Sequence, residues 1–200
     1  MGQIKAPFLR CEDISKIAAD LLDNYNRVDK IPVDIEALVE FDIGLEIIPQ
    51  RGLEDGFSVV GFISLDMTAI TVDEYVLERQ PTRYRFTLAH ELGHRELHAR
   101  AFESLQIKTI EDWRKFYMTL DEQDYGWFER HAYWFAGAIL VPEHTLFAEY
   151  SRVAARLGIE GLDGAGLSHY GRLTVAGVIA KRFQVSTGVV HRRLNEVGLW

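Results

Sequence analysis

The stretch RYRFTLAHELGHRELHAR, Arg83 to Arg100, carries His90, His94 and His98 at intervals of four, with Glu91 directly after the first. Residues four apart stand one turn above each other on one face of an α-helix, so His90 and His94 can present ring nitrogens to a single ion. Zinc takes imidazole nitrogen at about 2.0–2.1 Å and, in a catalytic centre, keeps a water in its open position. Glu91 is then the candidate general base, drawing a proton from the water that attacks a peptide carbonyl and passing it to the leaving amine. The competing reading is a solvated polar face, or core histidines satisfied by hydrogen bonds. Context favours the metal: Ala89 and Gly93 are small enough for another element to approach, and Phe86, Leu88, Leu92 and Leu97 supply core contacts.

Two histidines leave a catalytic zinc one protein ligand short. A metzincin-type histidine is excluded, because the position six after His94 is Arg100 and the glycine expected three after it is Leu97. His98 lies two turns from His90, about 11–12 Å along the axis, too far for one ion to be held by all three. It is assigned a structural role or one supporting the ligands from behind. A carboxylate from another helix is the alternative, and FERHAYWFAGAILVP offers Glu129 on a segment whose inward stripe is Phe128, Ala132, Phe135, Ala136 and Ile139. On helix geometry two readings of Glu129 stand level: a metal ligand, or a surface salt-bridge partner of a residue such as Arg130.

The chain has 200 residues, 48% apolar and 26% charged, an ordinary globular composition. No apolar run approaches the roughly 20 residues of a membrane span, and the start, MGQIKAPFLRCED, has no apolar signal region or myristoylation pattern. A single cysteine, Cys11, excludes an intrachain disulfide and a Cys-rich metal site. The expectation is a cytoplasmic protein whose metal is bound by histidine and carboxylate. Net charge is −8, but from Ala165 to Trp200 five basic residues face Glu196 alone, so this tail carries +4 and the remainder −12.

Helical periodicity is read from about Glu12 to Asn26, from Pro32 and Asp34 towards Gly44, from Pro81 to about Ala99, and from about Tyr125 to Val141, where Pro142 stops it. LEIIP, FSVVGFISL and TAITVD read as a small antiparallel sheet ahead of the histidine helix. LGIEGLDGAGLSHYGRL, with five glycines, reads as a connector. The expected organisation is a metallopeptidase domain over residues 1–160 and a small helical C-terminal subdomain over 161–200.

The two long motifs, RYRFTLAHELGHRELH followed by ERHAYWFAGAILVP, resemble the ImmA/IrrE family of metallopeptidases. PVDIEALVE, IGLEIIP and FSVVGFISLD match its N-terminal layout, so the resemblance covers roughly Ile31 to Pro142. It implies an α+β, mainly helical, zincin-like core and one zinc ion held, as in gluzincins, by His90, His94 and Glu129, with Glu91 catalytic. It also implies an endopeptidase that cuts a helix-turn-helix repressor encoded nearby and so derepresses mobile-element or stress-response genes. One position departs from the family, which usually has Asn four residues after the glutamate, where this chain has Tyr133. Tyr133 stands one turn from Glu129, so its hydroxyl could bond a ligand or a developing oxyanion, or its ring could simply fill space. His131, two residues from Glu129, points to another face.

LTVAGVIAKRFQVSTGVVHRRLNEVGLW resembles a helix-turn-helix, two short helices joined at Phe183 to Ser186. A DNA reading places His191, Arg192 and Arg193 on a recognition helix; the favoured reading is a helical unit packed on the core or receiving a protein substrate. Two functions thus compete with the repressor-cutting peptidase: a non-catalytic module that binds a repressor or antitoxin, and a DNA-binding regulator using the basic tail.

Overall fold

The computed structural model describes residues 5–57, 59–64, 66–103, 121–159 and 166–200. Helix α1 (Cys11–Asn24) buries Ile14, Ala18 and Leu22, an i, i+4, i+8 stripe, against the core. Asp34 caps the short α2 (Ile35–Ala37) by accepting the Ala37 N–H, a π-helical turn continues over Leu38–Asp42, and Gly44 at φ +80° redirects the chain. Then follow β1 (Glu46–Gln50), α3 (Leu53–Phe57), β2 (Gly61–Ile63), β3 (Ala69–Asp73), α4 (Glu74–Arg79) and α5 (Pro81–Glu103). Beyond them come α6 (Glu122–Leu140), α7 (Glu143–Leu157), α8 (His169–Phe183) and α9 (Thr187–Glu196). This is the expected α+β, mainly helical fold; α3, α4 and α7 add to the helices read from the sequence.

The sheet corrects one expectation: it is mixed, not antiparallel throughout. The strand order is β1-β3-β2, with β2 antiparallel to β3 but β1 parallel to it, Glu46 opposite Ala69 and Gln50 opposite Asp73. Apolar runs and turn residues specify that a segment is extended, whereas the choice of neighbour follows from burial. β3 is buried along its whole length and takes the centre, and β1, mostly exposed, accommodates Pro49 at an edge where a missing N–H is tolerated.

The sheet lies on α5 through β2, and Gly61 is what allows it: a Cβ there would fall 2.6 Å from Thr87 Cγ2 and 3.0 Å from the Thr71 carbonyl oxygen. On its other side α5 packs on α6, whose Phe128, Ala132, Phe135, Ala136 and Ile139 are all buried. The C-terminal helices join the same core, with Val175, Ile179, Phe183, Val190 and Leu194 in one apolar cluster with Leu88 and Phe135. The glycine-rich connector lies partly outside the described residues. Within them, Gly158 at φ +64° ends α7, while residues from His169 onward, expected as loop, are helical because Ser168 Oγ caps α8 by accepting the Gly171 N–H at 3.2 Å. Among the described residues no helix is long and apolar enough to cross a membrane.

Candidate metal centre

His90 and His94 project from the middle of α5 and Glu129 from α6, and the structure brings the three together. His90 Nε2 and His94 Nε2 are 3.1 Å apart; Glu129 Oε2 lies 3.3 Å from the first and Glu129 Oε1 3.4 Å from the second. Ligands at about 2.0–2.1 Å in tetrahedral array are separated by about 3.3–3.4 Å, so these atoms already outline one face of a tetrahedron. The donor set, two imidazoles and a carboxylate, is one that a divalent ion accepts.

Electrostatics agree. Burial works against the charged form of His90, yet its hydrogen bond to Glu129 and the fields of Glu91 and Glu129 outweigh it and hold His90 above its ordinary value. Burial likewise opposes the Glu129 carboxylate, but its bonds to His90 and His94 prevail and keep it ionised well below the usual carboxylate range. The pocket stabilises positive charge, and three residues here are placed to hold a metal ion.

Glu91 is buried beside the donors, and its Oε2 accepts the backbone N–H of Ile63 at 3.0 Å. That bond, invisible to helix periodicity, fixes the carboxylate from the edge of the sheet. Burial pushes its carboxyl up, partly offset by His90 and His94.

His98 is fully buried and stands behind the site, its Nδ1 3.2 Å from His94 Nδ1 and its Nε2 3.4 Å from Nδ1 of the buried His131. Proton placement follows from this chain. Were Nε2 of His94 to hold a metal ion, Nδ1–H of His94 would donate to His98, Nε2–H of His98 to His131, and His131 would carry its proton on Nε2. Among the described residues that nitrogen is buried without a hydrogen-bond partner, in a ring set between Trp127 and Trp134. Burial, with His94 and His131 as neighbours, pushes His98 down to about 2, which keeps it the neutral relay the chain requires. The contact of His131 with His98 had no sequence signal, because it joins two helices.

Tyr133 packs its ring on Phe86, 4.7 Å between centroids, and stands edge-on to His90 at 6.4 Å. Its exposed face is covered by the Arg192 guanidinium, 4.2 Å from the ring centre. The tail thus divides unexpectedly. Arg192 sits beside the metal donors, while Arg193 is buried and donates to the Val141 carbonyl at 3.4 Å and to Glu196 at 2.9 Å. His191 packs on Trp200. A duplex cannot reach Arg193, so the three-residue recognition surface considered for this helix is not formed.

A family model described as the IrrE N-terminal-like domain, a peptidase family, matches residues 77–195 of the chain. No curated protein matches in sequence. Among solved structures, the chain is similar to one described as a Mycobacterium tuberculosis transcriptional regulator, with a TM-score of 0.52 and 15% identity over 92% of this chain. The match spans 46% of that longer chain, and at this identity the likeness is one of fold.

Proposed function

Because this chain belongs to the IrrE N-terminal-like peptidase family, we propose that it is a cytoplasmic zinc-dependent endopeptidase that cuts a helix-turn-helix transcriptional repressor and thereby derepresses genes. The observation that carries this reading is the triangle of His90, His94 and Glu129 donors, 3.1–3.4 Å on its sides, with Glu91 beside it. The repressor as substrate rests on the family resemblance of the two long motifs.

His90, His94 and Glu129 would hold a zinc ion, which would supply Lewis acidity at the reacting centre. Glu91 takes one proton from the attacking water as the C–O bond forms and delivers it to the amine nitrogen as the C–N bond then breaks, so the proton count closes. Ile63 N–H holds that carboxylate in place between the two transfers. Among the described residues β2 is an edge strand, and the Ile63 N–H bonded to Glu91 points away from β3, so a substrate backbone laid along this edge passes the catalytic carboxylate in extended form. The Tyr133 hydroxyl, one turn from Glu129, is a candidate donor to the developing oxyanion. His98 and His131 orient His94.

The test pairs metal analysis with cleavage of the repressor encoded beside the gene. Wild-type protein is expected to carry one zinc per chain and to cut the repressor; Glu91→Gln is expected to keep the metal and lose cleavage, and Glu129→Gln to lose both. Wild type without metal, or cutting no better than Glu91→Gln, rejects the reading.

A further inference from the structure

Next to the metal donors, between α6 and α9, lies a cavity of about 260 Å³ walled by Gly126, Glu129, Arg130, Tyr133, Trp134 and Arg192. Among the described residues Glu129 is the only acidic one on this wall, and its charge is engaged by His90 and His94. The two cations are placed differently from several other arginines of the chain. Arg83, Arg152 and Arg193 each reach a carboxylate, whereas among the described residues neither Arg130 nor Arg192 has one. Each lies instead on an aromatic ring, Arg130 4.8 Å from the centre of Trp127 and Arg192 4.2 Å from that of Tyr133. Stacking restrains the guanidinium plane and leaves its N–H fork unspent, the geometry that receives a carboxylate. Gly126 leaves one end open, since a Cβ there would meet nothing within 4 Å. The chain as a whole carries −8, so a positive recess beside the reacting centre is a local exception to a surface that repels anions.

We propose that this cavity is a substrate subsite that selects an acidic side chain, Asp or Glu, close to the bond presented to His90, His94 and Glu129, with Arg192 and Arg130 as the residues that read it. The inference rests on the endopeptidase reading and adds the class of side chain its substrate must carry. It also explains the basic C-terminal helix, which delivers Arg192 to the mouth of the site from the far end of the chain.

Binding tests this independently of turnover. Short capped peptides of one apolar framework, carrying Glu, Gln or Lys at alternate positions, are titrated into zinc-loaded Glu91→Gln protein and followed by tryptophan fluorescence, to which Trp134 on the cavity wall contributes. The Glu peptide is expected to bind about tenfold or more tighter than the Gln peptide, as charge-assisted hydrogen bonds imply, and the Lys peptide weakest. Adding Arg130→Gln and Arg192→Gln together is expected to erase the difference while metal content stays whole, and Arg192→Glu to move the preference towards the Lys peptide. Equal binding of the Glu and Gln peptides, or a preference that survives the double change, overturns the subsite. Cleavage of the repressor by the wild type without acid preference rejects the subsite alone; acid preference in a wild type that cuts nothing rejects the substrate role and the peptidase reading together.

Discussion

Gly93 and Ala132 meet backbone to backbone: a Cβ on Gly93 would stand 3.1 Å from Ala132 Cα and 3.2 Å from the Ala132 carbonyl oxygen. Through this contact α5 and α6 approach closely enough for His90, three residues before Gly93, to oppose Glu129, three residues before Ala132. The triangle of His90, His94 and Glu129 is therefore a product of helix spacing, and any residue that separates the helices opens it.

Gly93→Ala is expected to destabilise the protein by about 1–3 kcal/mol, because the crowding atoms include backbone that cannot swing aside. For a chain of this size that is a fall in Tm of about 2–4 °C for each kcal/mol, accompanied by weaker zinc retention. Thermal unfolding with metal analysis checks it; an unchanged Tm with full zinc would show that the helices have slack at this point.

His98→Phe keeps a ring in place but removes the acceptor facing His94 Nδ1 and the donor facing His131. Loss of a ligand-orienting partner typically weakens metal binding about 10–100-fold. Competition with a chromogenic chelator reads the change directly, and His131→Phe, one step further along the chain, is expected to have a smaller effect. Wild-type affinity in His98→Phe would mean that His94 needs no such orientation.

Arg192 and Arg193 are adjacent yet should behave oppositely. Arg193→Ala is expected to cost about 3 kcal/mol, leaving Glu196 and the Val141 carbonyl without a buried donor. Arg192→Ala removes an exposed cation–π contact and should cost less than about 1 kcal/mol. Urea unfolding separates the two; similar losses would contradict the burial of Arg193.

Asp73 ties α3 to α4 by accepting the N–H groups of Glu54, Tyr75 and Val76. The Glu54 bond holds its carboxyl below the ordinary 3.8; burial opposes it next, and the N–H groups of Val76, Leu53 and Tyr75 add to the lowering. The folded value being depressed, its contribution is complete above about pH 4 and fades as pH falls through the folded value. Asp73→Ala should cost about 1–2 kcal/mol at pH 7 and less at pH 3, measured as urea midpoints at the two pH values. A loss independent of pH would remove the ionised cap from the account.

Much of this was readable from residue spacing. The i, i+4 histidines and the stripe from Phe128 to Ile139 are local periodicities, and a helix converts such spacing into a shared face without outside help. Glu129 marks where that reasoning stopped: spacing left metal ligand and surface ion pair level, and only the family resemblance favoured the metal. Two strand runs were legible nearly whole, while FSVVGFISL is strand only over Gly61–Ile63 and its Phe57 closes α3; the parallel pairing of β1 with β3 was not legible, since it depends on which strand is buried deepest. Arg193 was undecided for a related reason: sequence shows its charge, and only its neighbours show that it is enclosed, as the favoured packed-helix reading requires.

The sequence by itself determined the two motif-bearing helices and the residue types a metal requires, because these follow from the period of the chain and the chemistry of side chains. The tertiary structure alone decided that Glu129 reaches the histidines, that Ile63 steadies Glu91, that His98 and His131 back His94, and that Arg192 turns to the site while Arg193 turns inward. Each of these joins residues from different elements, and their distances are set by how closely the elements pack, as at Gly93 against Ala132.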